Sequence, residues 1–169
     1  MNLSHTYGDV FNTILKDEDG RAMYEIRTPT VLLGGGRTTI LRISGWGVEE
    51  VAQIEWHYRT STKFHFRDYT VEVSNYMPLR GFGRTKRVFV ATDGHSYLWK
   101  MGWRGLKLVR DDGSKTHVAQ YHPHTNVFTR QPSVLDITSH GLAILDEIVV
   151  TFVYMERKRK ETETPVVAS

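Results

Sequence analysis

Four cations and two glycines fall within the segment Arg80-Gly81-Phe82-Gly83-Arg84-Thr85-Lys86-Arg87. Glycine lets backbone N–H groups approach an anion closely and the cations supply charge, so a phosphate or a lipid headgroup is the chemistry this spacing suits. Phe82, set between the glycines, adds an apolar group able to enter a bilayer interface. The same composition also serves a solvated loop whose cations keep a strand edge soluble. Gly34-Gly35-Gly36-Arg37 is a weaker version: no helix follows the three glycines, as a nucleotide fingerprint requires, and the run also fits a flexible hairpin end. Met101-Gly102-Trp103-Arg104-Gly105 places an aromatic and a cation between glycines in an expected loop, suited to a membrane interface, a ligand or a packed corner. Arg80, Arg84, Lys86, Arg87, Arg37, Trp103 and Arg104 are thus the candidate lipid- or anion-binding residues. Trp46, Trp56 and Trp99 are expected to fill the core or its rim.

Catalytic and metal chemistry have less support. Ser96 or Ser139 could be combined with His95 or His140 and with Asp93, Asp136 or Asp146, but no nucleophile-elbow motif accompanies any such set. His117, His122, His124 and His140 lie in the last third, and His122-Pro123-His124 can present two imidazoles, yet no carboxylate stands at a ligand spacing. The chain has no cysteine, which rules out disulfides, thiolate metal sites and cysteine nucleophiles. No catalytic residue, metal site or cofactor is assigned.

These residues need a scaffold, and the stretch that organises it is Gly141 to Glu156, followed by Arg157-Lys158-Arg159-Lys160. As a helix it is apolar on every side from Leu142 to Met155 apart from Asp146, Glu147 and Thr151, so it must be surrounded. A membrane is a poor surround, because the run is about 14 residues with two carboxylates whereas a span needs roughly 20. Its β-branched residues also fit a buried strand. Length and ends favour the helix: Thr138 or Ser139 is available as N-cap, and the basic cluster lies where the helix dipole favours cations.

Upstream, Val10 to Leu15 and Arg21 to Arg27 read as a hairpin joined through Asp19-Gly20. Arg37 to Ile43 and Val48 to His57 follow around Ser44-Gly45-Trp46-Gly47, with Ala52, Ile54 and Trp56 on the core side of the second. Lys63 to Arg67, Thr70 to Val73, Val88 to Ala91, Ser96 to Lys100, Leu106 to Val109, His117 to Tyr121 and Val134 to Thr138 complete about ten short strands at turn intervals near ten residues, the pattern of an antiparallel sandwich or barrel. A closed barrel clothing the helix removes sheet edges and buries the helix together.

The 169 residues suit one domain, expected over 1–160 with its central helix at about 140–158 and a disordered tail over 161–169. A net charge of +3 is too small to indicate nucleic acid. Met1 to Asp9 lacks the charged start and apolar core of a signal peptide, so the expected location is cytoplasmic.

The hairpin Asp19 to Ile26, the strand Ile54-Glu55-Trp56-His57, the segment Asp93 to Lys100 and the ending Leu145 to Tyr154 together resemble a fungal (basidiomycete) family, domain of unknown function family 6593. That family is similar to the tubby C-terminal-like superfamily, which includes tubby domains, phospholipid scramblases and plant LURP-one-related proteins. The resemblance covers about Phe11 to Lys160. It implies a mainly β fold, a closed antiparallel barrel of about twelve strands around a buried C-terminal hydrophobic α-helix. Together with the cation clusters, the resemblance leads to the expectation of a non-catalytic binding module that engages an anionic phospholipid or phosphoinositide at a membrane surface. The expected protein is a monomer with no transmembrane segment, peripheral to a membrane, with a protein partner left open. The alternative is an enzyme or small-molecule carrier using a cavity beside the central helix. The long basic pocket of tubby domains has no residue-by-residue counterpart here, and the cysteine-rich segment of scramblases is absent.

Overall fold

The computed structural model describes residues 1–5, 10–29, 35–57, 60–124 and 131–163. The last apolar stretch is a helix, and it is enclosed. After a 3-10 turn at Ser139–Ile144, α2 runs Leu145–Glu163, and every residue from Glu147 to Met155 is buried, with Glu156 and Arg159 beyond. Val150 and Phe152 are both inaccessible to solvent although they point about 160° apart. That is the signature of a helix wrapped on all sides.

Among the described residues, the wrapping is one antiparallel sheet of twelve strands. These are β1 (Asn2–His5), β2 (Thr13–Lys16), β3 (Ala22–Arg27), β4 (Arg37–Ser44), β5 (Gly47–Glu55), β6 (Lys63–Phe66), β7 (Thr70–Glu72), β8 (Lys86–Val90), β9 (Ser96–Gly102), β10 (Gly105–Arg110), β11 (His117–His122) and β12 (Ser133–Ile137). The short helix α1, Val73–Tyr76, lies between β7 and β8. Strand neighbours run β7-β6-β5-β4-β3-β2-β1-β12-β11-β10-β9-β8. Inward positions alternate as a half-buried strand requires: Ala52, Ile54 and Trp56 face the helix as expected, as do Leu106, Leu108, Ala119, Tyr121, Leu135 and Ile137.

Several elements differ from the sequence expectation. The polar first residues contain β1, which joins the two halves of the sheet by pairing with β12 from Asn2↔Asp136 to His5↔Ser133 and with β2 at Ser4↔Lys16. Leu3 and His5 turn inward. The strand expected from Val10 starts only at Thr13, and Val73 opens α1 rather than ending β7. Thr138 does not cap α2; its hydroxyl donates to the carbonyls of His117 and Val118 at 3.0 and 3.1 Å, and the chain makes a 3-10 turn before the α-helix begins. Gly141 sits so deep in that turn that a Cβ there would lie 2.8 Å from both Ile137 and Ile148. At the other end α2 extends into the expected tail as far as Glu163, held by Arg157–Glu161, Lys158–Glu161 and Arg159–Glu163 ion pairs. The rest of that tail, 164–169, lies outside the described residues.

The expected closure also takes a different form. Among the described residues, β7 and β8 form no ladder with each other, so backbone hydrogen bonds do not close the sheet. The chain between them turns through α1, and aromatic rings occupy the seam: Phe64 to Tyr76 at 5.7 Å, Tyr76 to Phe89 at 6.0 Å and Phe89 to Tyr97 at 5.7 Å between centroids. Side-chain packing thus does there what a ladder does elsewhere.

Buried polar groups tie sheet to helix. The Trp99 indole N–H donates to Thr151 Oγ1 at 2.8 Å, and Thr151 in turn donates to the carbonyl of Glu147 at 2.7 Å. Trp56 donates to Thr38 at 2.8 Å and stacks on Tyr154. Each indole is satisfied, as burial demands.

Gly105 carries a sharp prediction. Its φ is 122°, and a Cβ there would stand 2.1 Å from the Tyr121 carbonyl oxygen. Gly105→Ala is expected to lower stability by about 2–3 kcal/mol from left-handed strain and collision with backbone. Urea denaturation measures it, and a loss under about 0.5 kcal/mol, the usual scatter of a neutral surface change, would contradict this packing.

Candidate functional site

The strand register sets two groups of turns at the two ends of α2. At its start lie the β2–β3 turn with Asp17 and with Asp19 paired to Arg21, the β8–β9 turn with Asp93, and Asp111 and Asp112 after β10, paired with Arg80 and Arg110. At its finish lie the segment between α1 and β8 and the β9–β10 turn, because the Met101 N–H donates to the Thr85 carbonyl at 2.8 Å and Thr162 of α2 touches Met101. Here the cations gather.

Antiparallel register places Lys86 beside Lys100 and Lys100 beside Lys107 on the outer face of β8, β9 and β10. Trp99 and Leu108 next to them are buried, so the lysines project outward. At the end of this row Trp103 and Arg104 form a two-residue turn between the paired Gly102 and Gly105. Trp103 is 83% exposed, with the Arg104 guanidinium 4.4 Å over its ring. Phe82, on the adjoining loop, is fully exposed. Arg84, Lys86, Lys100, Arg104 and Lys107 have no carboxylate partner among the described residues. Like charges this close repel one another and are tolerated where solvent or a polyanion screens them.

The sequence candidates divide accordingly. Arg84, Lys86, Trp103 and Arg104 come together at this end. Arg87 is half-buried: it donates to the Met77 carbonyl at 2.6 Å and lies 5.2 Å from the centre of the Tyr154 ring, so it also fastens the loop to the helix. Arg80 is paired with Asp111. Arg37 is engaged elsewhere, bonded to Gln53 and to Glu55 at 3.0 Å each. Glu55 also meets His57 at 2.9 Å and His65 at 2.6 Å, and the hydrogen bond from His65 chiefly holds its carboxyl below the usual range. The glycines before Arg37 serve packing: the Gly36 carbonyl accepts from Trp56 N–H at 2.8 Å, and a Cβ on Gly35 would stand 3.0 Å from the Trp56 carbonyl. Gly34 lies outside the described residues.

Lys100 and Lys107 were missed because they lie seven residues apart in strands whose charge looks incidental. Only pairing makes them a row. Trp46 corrects another expectation: at the two-residue β4–β5 turn it is fully exposed, since a hairpin tip offers nothing to pack against.

A second feature lies at the start of α2, an open cavity of about 800 Å³ lined by Tyr24, Arg42, Thr92, Asp146 and Glu147 among others. Its polar groups hold each other. Asp146 accepts from the Tyr24 hydroxyl at 2.5 Å and from Arg42 at 2.6 Å. Glu147 accepts from the Thr92 N–H at 3.0 Å, the Thr92 hydroxyl at 2.7 Å and the Tyr76 hydroxyl at 3.2 Å. Burial, then the hydrogen bond to Asp146, pushes the Tyr24 phenol well above its ordinary value. This explains two carboxylates in an enclosed helix: both sit in its first turn, where the dipole favours anions, and both have donors. Among the described residues no three His, Asp or Glu side chains converge as a metal site, and no helix is long and apolar enough to cross a membrane.

Geometry therefore defines an antiparallel β protein wrapped around its C-terminal helix, with a cation- and aromatic-bearing end. The chain belongs to the family of unknown function DUF6593, whose model matches residues 8–161. It is similar to a crystallographically solved protein from Arabidopsis thaliana, with 15% identity and a TM-score of 0.49 over 93% of this chain and 90% of that one. Comparison with curated proteins finds no match.

Proposed function

We propose that this protein is a non-catalytic binding module that engages an anionic phospholipid surface through the end where α2 finishes. It acts as a tubby-like, barrel-shaped fungal domain, a monomer in the cytoplasm that docks at the periphery of a membrane. One observation carries the reading: Lys86, Lys100 and Lys107 form a row without carboxylates beside the exposed Trp103 and Phe82. Clustered cations attract an anionic leaflet and exposed aromatics enter its interface. The cavity at the start of α2 favours a second reading, a small-molecule carrier or enzyme, but its acids and donors are already engaged with one another.

Vesicle co-sedimentation tests it. Binding is expected to vesicles rich in phosphatidylserine at low salt, to weaken at physiological salt, and to be absent with neutral vesicles. At about 1 kcal/mol per cation, reversing Lys86, Lys100 and Lys107 to Glu should lower binding by more than about 100-fold. Equal binding of the triple variant and the native chain would overturn the proposal, as would no difference between neutral and anionic vesicles.

A further inference from the structure

A hydroxyl stands among the cations of the basic end. Thr85 lies between Arg84 and Lys86, with Arg87 next and Arg80 five residues before. The whole of 80–86 is exposed. The Arg80 N–H donates to the Lys86 carbonyl at 3.0 Å and the Val88 N–H to the Pro78 carbonyl at 3.2 Å, and these bonds pinch the base of the segment so that residues 81–85 stand out as a loop. A Cβ on Gly81 or on Gly83 would meet nothing within 4 Å, which leaves open space on both sides of Phe82 for a second protein to close over. The Thr85 carbonyl accepts from the Met101 N–H at 2.8 Å, which fixes the backbone there. Its hydroxyl makes no hydrogen bond among the described residues. The exposed hydroxyls of Ser114, Thr70 and Thr162, by contrast, are engaged: with Asp112 at 2.6 Å, with His65 at 2.9 Å and with the Arg159 carbonyl at 2.7 Å. Arg84, beside Thr85, has no hydrogen-bond or ion-pair partner among the described residues.

We propose that Thr85 is a phosphorylation site whose modification releases the basic end from an anionic surface. The inference deepens the membrane reading and rests on it. The modifying partner is a protein kinase with an acidic substrate groove, since cations flank the acceptor on both sides. In the transfer Thr85 Oγ1 attacks the γ-phosphorus of ATP: the new O–P bond forms as the bond to the departing ADP oxygen breaks, and the hydroxyl proton passes to the catalytic carboxylate of the kinase. The phosphate brings nearly two negative charges. Lys86 is the next residue and Lys100 faces it across the β8–β9 ladder, so the new charge falls within a Debye length, about 8–10 Å, of both. It also offers the Arg84 guanidinium the anion it lacks. The lysine row is thereby answered from within the chain, and its attraction for an anionic leaflet falls.

The full chain, ATP and the catalytic fragment of protein kinase C, a kinase that accepts cations around its target, test this in sequence. Before treatment, Thr85→Val should sediment with phosphatidylserine vesicles within about two-fold of the native chain, because the hydroxyl it removes holds no partner. After treatment, mass spectrometry is expected to place a phosphate on Thr85 of the native chain. That phosphoprotein should bind the vesicles about ten-fold more weakly or less, and recover when a phosphatase removes the phosphate. Thr85→Val carried through the same treatment should bind as before. Circular dichroism and melting of the phosphoprotein should match the native chain, which separates release from unfolding. No phosphate at Thr85, undiminished sedimentation of the phosphoprotein, or release accompanied by unfolding overturns the switch and leaves the surface reading intact. A native chain that fails to sediment before any kinase is added defeats the surface reading itself, and the switch with it.

Discussion

Val150→Asp is expected to abolish folding. Val150 lies on α2 with no exposure, flanked by Val149, Thr151 and Phe152, which are equally inaccessible. A lone carboxylate there must stay charged without a partner or be protonated at a cost, and either penalty takes much of the roughly 5–15 kcal/mol that holds a domain together. Asp146 and Glu147 escape this fate only because Tyr24, Arg42, Thr92 and Tyr76 meet them. The milder Phe152→Ala should cost about 3–5 kcal/mol, since its ring packs 4.6 Å from that of Tyr121 and has no route to solvent. Because strands β5, β9 and β10 all contact α2, the loss should be global, appearing as one cooperative transition at lower denaturant. A soluble Val150→Asp protein with unchanged circular dichroism and melting would sink the enclosed-helix description.

The second large effect concerns the ion pair near the finish of α2. Arg159 bonds Glu156 through Nε at 2.6 Å and Nη2 at 2.7 Å, and the two side chains are 5% and 1% exposed. Its bonds to Glu156 are the main reason the guanidinium holds its proton even more tightly than usual. Arg159→Met should destabilise by about 3–5 kcal/mol, because it strands Glu156 without a counter-charge in a desolvated site. The double variant Glu156→Leu/Arg159→Met removes both desolvation costs and is expected to recover most of that loss. Urea titrations of the two variants measure the difference. A single variant as stable as the native chain would mean that water reaches Glu156.

The pair also marks what pattern alone conceals. In the sequence Arg159 belongs to a run of four cations that reads as one solvated cluster, yet α2 rotates it about 100° per residue. Arg159 therefore turns inward to Glu156, while Lys158 turns to Glu161 and lies 5.7 Å from the Tyr154 ring centre. The sequence also puts Arg80, Arg84, Lys86 and Arg87 in one cluster. The fold gives them different duties: Arg80 pairs with Asp111, Arg87 fastens the loop to Met77 and Tyr154, and Arg84 and Lys86 are left without carboxylates.

From the residues alone, the chain determines that a helix apolar on every side must be enclosed, and that alternating short segments separated by turn signals supply the enclosure. Those features are local: periodicity and turn chemistry act over a few residues, so they survive without knowledge of neighbours. Short elements escape them, as β1 shows, for four residues are too few to display a period and their strand identity comes from pairing with β12. Register escapes them too. Lys86, Lys100 and Lys107 become a surface only because antiparallel strands set distant residues side by side about 5 Å apart. The aromatic seam between β7 and β8 and the exposure of Trp46 and Trp103 were likewise decided by tertiary structure, since each depends on which groups the chain brings together and which it leaves facing water.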